Sequence, residues 1–215
     1  IDESLIDLSV FEQKDHDQYM REMRETVKKW VGIPVSIGVA NTKTLAKIAN
    51  RYAKKNPGHN GVLNLFEKPR PYIDNFLKKT DVSDIWGVGR QYTKLLKSKE
   101  INTAYDLSQA YDYFIKKRMT IMGLRTVYEL RGVSCIDLEQ SPNPKKSIVS
   151  SRSFGKVTDN QQYVREAISY FVHIAAEKLR RQKSAAKHLT VFLRTNPFKE
   201  CPQYHNGVLI EFPVP

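Results

Sequence analysis

Apolar and polar positions change their spacing three times along this chain of 215 residues. Up to about residue 65, alternating segments and helical-period segments follow one another. IDESLIDLSV (1–10) reads as a strand, and HDQYMREMRETVKKWVG (16–32) as a helix stopped by Gly32. PVSIGVA (34–40) reads as a strand, TKTLAKIANRYAKKN (42–56) as a helix and GVLNLF (61–66) as a short strand. In the second strand Val35, Ile37 and Val39 alternate with Ser36, Gly38 and Ala40, so one face is nearly bare and a helix can lie close on it.

From 66 to about 140 the pattern is helical, with glycine-containing turns in DVSDIWGVGRQYTKLLKSKEI and RMTIMGLRTVYELRGV. QSPNPKKS (140–147), with two prolines and adjacent lysines, has the composition of an extended linker. Past it SIVSSRSFG (147–155) reads as a strand and 160–182 as a long helix. On that helix Val164, Ile168, Phe171, Val172, Ala175 and Leu179 share one face. Two strands, 187–196 and 207–215, complete a β-α-β-β order, the front of a small sandwich. The fold class expected is multidomain α+β. Both ends look cut, and the chain reads as the later part of a longer protein.

Charge changes this picture first. Thirty-five Lys and Arg against 23 Asp and Glu give a net charge of +12. Such an excess suits a polyanionic partner such as nucleic acid, or simply a soluble basic surface. Nothing approaches the roughly 20 apolar residues of a membrane helix, so no membrane partner is expected and the cytoplasm is the default. Cys135 and Cys201 lie far apart without metal-ligand spacing and read as ordinary packed thiols; the five histidines are scattered. VLNLF (62–66) resembles a sliding-clamp docking motif, but ends a strand and is expected to be buried.

The helix at 42–56 carries Lys43, Lys47, Arg51 and Lys54 within an arc of about 80°. This is either a solvated lysine face or a phosphate-binding stripe. Lys43 lies in the first turn, where the helix dipole disfavours a cation by roughly 0.3 to 1 kcal/mol and a bound phosphate would reverse the sign. IWGVGRQYTKLL has the helix-hairpin-helix pattern, in which Gly87 and Gly89 bring backbone amides, and the new helix at Arg90, close to a DNA phosphate; an ordinary tight turn is the alternative. IMGLRTVYELRG reads as a second, poorer copy. Asp2 and Glu3 are adjacent, so both serve one metal site only near a strand end, with Asp2 as the direct ligand and Glu3 as a secondary one; a solvated hairpin tip is the alternative.

Taken together, IDESLIDLS, VSIGVANTKTLAKIANRYAKKNPG, DVSDIWGVGRQYTKLL, ELRG and SRSFGKVTDN resemble the Y-family translesion DNA polymerases of the UmuC subfamily, in order and over essentially the whole chain. The resemblance implies a partial palm (1–65, mixed sheet with helices), an all-α thumb (66–140), a linker (141–147) and an incomplete α+β little finger (148–215). It implies error-prone, two-metal nucleotidyl transfer with two Mg²⁺ ions, Asp2 and Glu3 as catalytic metal ligands, and a third carboxylate outside this sequence, which leaves the piece inactive alone. Lys54, with Lys47, would bind the deoxynucleoside triphosphate. Gly87, Gly89, Arg90, Ser151, Arg152 and Ser153 would hold primer–template DNA. The resemblance further implies a role in SOS mutagenesis and DNA repair, with a UmuD-like dimer, RecA and the sliding clamp as partners. A non-catalytic helix-hairpin-helix DNA-binding module is the rival reading.

Overall fold

The computed structural model describes residues 3–11, 15–138, 145–156 and 158–213. The described residues form a mixed α/β structure with seven α-helices and two two-stranded sheets, and the chain divides between residues 139 and 140 into two compact units.

In the first unit, helix α1 (His16–Val31) starts where the Asp15 side chain accepts from the amides of Asp17 and Gln18. It stops at Gly32, whose positive φ of 75° returns its N–H to the Lys28 carbonyl. Strand β1 (Ile37–Val39) pairs in parallel with β2 (Val62–Asn64), Gly38 opposite Leu63. Helix α2 (Lys43–Lys55), capped by Thr42, connects them and lies on the bare face of β1. A β-carbon on Gly38 would sit 2.1 Å from the Asn50 nitrogen and 2.3 Å from the Ala46 oxygen, so only glycine admits this helix.

Helices α3 (Arg70–Lys78), α4 (Arg90–Lys97), α5 (Ala104–Gln109) and α6 (Asp112–Leu130) follow. One continuous core joins them to α2 and the sheet: Leu45, Ile48 and Ala49 of α2 share it with Leu63, Leu77, Leu96, Leu107, Ile115, Val127 and Leu130. A smaller cluster of Met20, Val39 and Val62 seats α1 on the sheet. VLNLF is buried at Val62, Leu63 and Leu65, as the strand reading required.

Two expected strands do not form. Residues 3–8 are irregular and lead into a 3₁₀ turn at Ser9–Phe11, and residues 147–154 are irregular too. Alternating polarity marks an extended segment, but a strand exists only through a ladder, and neither segment enters one among the described residues. The second glycine hairpin also shifts. Gly123 is buried within α6, where its β-carbon would collide with Met119, and the helix is broken instead at Thr120, with φ 66° and ψ −175°.

In the second unit, α7 (Gln161–Arg181) starts at Asn160, whose side chain accepts from the Tyr163 amide. Strand β3 (His188–Arg194) pairs antiparallel with β4 (His205–Glu211), Val191 opposite Val208. The predicted apolar face of α7 and the inward residues Leu189, Val191 and Leu193 are half-buried, and β4 is exposed throughout. Most of the linker lies outside the described residues.

Candidate nucleotide and nucleic-acid interface

The basic stripe of α2 is real, but most of it is already engaged within the chain. The Lys47 ammonium lies 2.8 Å from the Glu3 carboxylate and 4.7 Å above the Trp86 ring. The Arg51 guanidinium is paired with Asp84. Lys43 donates to the Asp137 carbonyl. Lys54, in the last turn, is exposed and makes no ion pair among the described residues. The four cations predicted to act alike thus divide into one solvent-facing lysine and three that tie α2 to other segments.

Asp84 and Trp86 immediately precede the glycine hairpin, so these contacts fasten the hairpin to α2. Gly87 takes a φ of 90°, a conformation that suits glycine, and Gly89 is the N-cap of α4 with an ordinary φ of −82° and open space where a β-carbon would be. Gly87, Gly89 and Arg90 are all exposed while Val88 between the glycines is buried and anchors the turn. Ahead of the hairpin Asp81 accepts from Lys97 at 2.8 Å and from Ser83, which holds its carboxyl down at about 2. The hairpin is therefore a rigid, open-backed turn at the head of a helix, a geometry suited to a phosphate.

The sequence reading did not find Glu129. It is fully buried near the end of α6, and its carboxylate accepts from the backbone amide of Thr44 at 3.0 Å and from those of Cys135 and Ile136 at 3.0 and 3.2 Å. A side-chain acceptor for the first turn of α2, next to Lys43, is thus supplied from within the chain. An acidic residue among the buried positions at the end of α6, next to Val127 and Leu130, was the available signal, but its partner on α2 is 85 positions away. Burial raises the pKa of the neighbouring Cys135 thiol, consistent with a packed rather than reactive cysteine; Cys201 is exposed.

Of the metal ligands expected, Asp2 lies outside the described residues. Glu3 is exposed and offers a hard oxygen of the kind Mg²⁺ takes, yet its described partner is Lys47. Among the described residues no group of three His, Cys, Asp or Glu side chains converges. Glu3 suits the metal in kind, but the described donors are too few to hold it. In the second unit Ser151, Arg152 and Ser153 are exposed along one wall of a cleft of about 850 Å³, whose other wall is α7 with Tyr163 and Tyr170. No helix described is long and apolar enough to cross a membrane.

Residues 1–51 match the model of the impB/mucB/samB family, and residues 145–214 match that of the impB/mucB/samB family C-terminal domain. Protein ImpB of Salmonella typhimurium is 39% identical over 218 residues, which take in 100% of this chain and 51% of that protein. Protein UmuC of Salmonella typhimurium strain LT2 is 38% identical over 218 residues, with the same coverage of both. A DNA polymerase IV of Halobacterium salinarum is 25% identical over 178 residues, 83% of this chain and 41% of that one. The chain spans about half the length of the curated relatives it matches. With two models of one family matched in order and similarity to UmuC running along the whole of this chain, the chain belongs to the impB/mucB/samB family as a UmuC-like member.

Proposed function

We propose that this chain is part of an error-prone translesion DNA-directed DNA polymerase that acts in the SOS response. One observation carries the reading. The lysine row of α2, with Glu3 beside it, and the open glycine hairpin at 87–90 are mounted on a single core, joined by Arg51 with Asp84 and Lys47 with Trp86. A polymerase needs such a mounting, because the triphosphate and the primer–template phosphates must keep a fixed separation while chemistry occurs between them. The relative named DNA polymerase IV supports the same activity.

In this reading residues 1–65 are palm, 66–140 thumb, 141–147 linker and 148–215 little finger. Lys54 meets the triphosphate of the incoming deoxynucleotide, and Lys47 steadies Glu3 and the phosphates together. Gly87, Gly89 and Arg90 grip the primer–template backbone without reading its sequence. Ser151, Arg152 and Ser153 follow the duplex from the second unit. Mg²⁺ bound at Asp2 and Glu3 would supply charge neutralisation for phosphoryl transfer, with a further carboxylate from outside this sequence. The cytoplasm, and a UmuD-like dimer, RecA and the sliding clamp as partners, belong to the same proposal.

The test uses a fluorescent primer–template and magnesium dATP. The chain is expected to bind the DNA, with affinity falling steeply as salt rises, to bind the triphosphate, and to extend no primer. Extension by the chain alone would show that its own carboxylates suffice. A second reading, a non-catalytic DNA-binding module, is favoured by the pairing of Glu3 with Lys47, which occupies the carboxylate that a metal would need. DNA binding without any triphosphate binding would select it.

A further inference from the structure

Glu129 joins the start of α2 to the strap that follows α6, a junction that Lys43 reinforces by donating to the Asp137 carbonyl. One carboxylate oxygen accepts from Thr44, the second residue of α2, and the other accepts from Cys135 and Ile136. Its own backbone carbonyl accepts from the Thr42 hydroxyl at 2.9 Å, and that hydroxyl in turn caps α2 by accepting from the Leu45 amide. The start of α2, the end of α6 and the strap at 135–136 therefore meet on one side chain. Burying a carboxylate is costly unless every lone pair is used, and an apolar residue of similar size would fill the same space without that cost. What the carboxylate adds is direction, since hydrogen bonds to three backbone amides fix where the end of α2 lies and how it is turned about its axis. The close contact over Gly38 sets the distance of α2 from the sheet but not that orientation.

We infer that Glu129 is a positioning residue for nucleotide binding, which sets α2, and with it Lys54 and Lys47, in place relative to the hairpin at 87–90. This rests on the proposed role of those lysines. From Thr44 to Lys54 the helix rises about 15 Å, so a tilt of about 5° at the clamped end moves Lys54 by roughly 1 Å. A displacement of that size at a phosphate contact weakens binding severely. The surface pairs Arg51–Asp84 and Lys47–Trp86 are too exposed to hold that angle by themselves, and Leu45, Ile48 and Ala49 seat α2 in the core through packing that carries no directional bond.

Trp86 provides the readout. The chain has two tryptophans, and Trp30 is 80% exposed and remote in sequence from the site, so Trp30→Phe leaves Trp86 as the sole reporter of how α2 faces the hairpin. In that background Glu129→Gln, which keeps the shape but turns one acceptor into a donor, is compared with the parent chain. Three measurements are made: thermal melting, acrylamide quenching of Trp86, and affinity for magnesium dATP and for primer–template DNA. The expected result is stronger Trp86 quenching and a roughly tenfold loss of dATP affinity, with DNA affinity held within about twofold. If melting falls while quenching and dATP affinity stay unchanged, Glu129 only stabilises the fold and the inference is wrong. Should Glu129→Gln fail to fold, Thr42→Ala, which removes the hydroxyl bond to the Glu129 carbonyl, is judged by the same readouts. Absence of dATP binding by the parent chain overturns the functional reading and this inference together, whereas parent binding that Glu129→Gln retains in full overturns the inference alone.

Discussion

The ammonium of Lys47 and the carboxylate of Glu3 meet at 2.8 Å, joining the segment ahead of α1 to the middle of α2. The side chains are 27% and 58% exposed, so the pair contributes no more than about 1 kcal/mol to stability. A group that contributes so little to the fold is available for function.

Lys47→Ala is therefore expected to cost at most about 1 kcal/mol in urea denaturation, including the lost contact with Trp86. The same change should weaken magnesium dATP binding about tenfold, measured by titration calorimetry. A stability loss well above this, with unchanged dATP affinity, would make Lys47 a structural residue.

Gly38→Ala is expected to destabilise the first unit by about 3 kcal/mol, because the added methyl meets backbone atoms of Asn50 and Ala46 that cannot rotate away. Equilibrium denaturation of the variant measures it. A loss under about 1 kcal/mol would mean that α2 can lift off β1 freely.

The two hairpin glycines should respond differently. Gly87→Ala forces a side chain to a φ of 90° and is expected to cost about 1 to 2 kcal/mol of stability. Gly89→Ala meets no atom within 4 Å and should leave stability within about 0.5 kcal/mol, yet weaken primer–template binding by standing between the backbone and the phosphate. Arg90→Ala should reduce the salt slope of that binding by about 1. Anisotropy titrations at several salt concentrations test both; unchanged DNA affinity in Gly89→Ala would remove the hairpin from the interface.

Asp81 gives a pH signature. Its bonds to Lys97 and Ser83 lower its pKa from 3.8 to about 2, so the folded state holds its proton less tightly than the unfolded chain. The stabilisation is complete above about pH 4 and is lost as pH falls towards 2. Because the pair is more than one-third exposed, it is worth under about 1 kcal/mol. Asp81→Asn should lower stability at pH 6 by that amount and shrink the gap from wild type as pH falls, followed by denaturation at each pH.

Much of the first unit was legible because its signals are local. Gly32 and Thr42 mark helix ends through bonds made within a few residues, and the bare face of 36–40 foretold a close helix because glycine at 38 leaves no side chain to fill the gap. The hairpin at 87–90 was visible for the same reason. Elsewhere local signals misled. Gly123 looked like a turn, but the break falls on Thr120, a β-branched residue that local preference would exclude from that conformation.

Within this protein the sequence determined the order of helices, their caps, the basic face of α2 and the glycines that let backbones approach, since each follows from bonds and volumes within one turn or strand. Tertiary structure alone decided that Glu3, Asp84 and Asp137 would engage three of the four cations, leaving Lys54 free to face solvent, and that Glu129 would clamp the start of α2. Those contacts join residues from 33 to 94 positions apart, or a segment that forms no ladder, and a buried charge finds its partners only once the chain has closed around it.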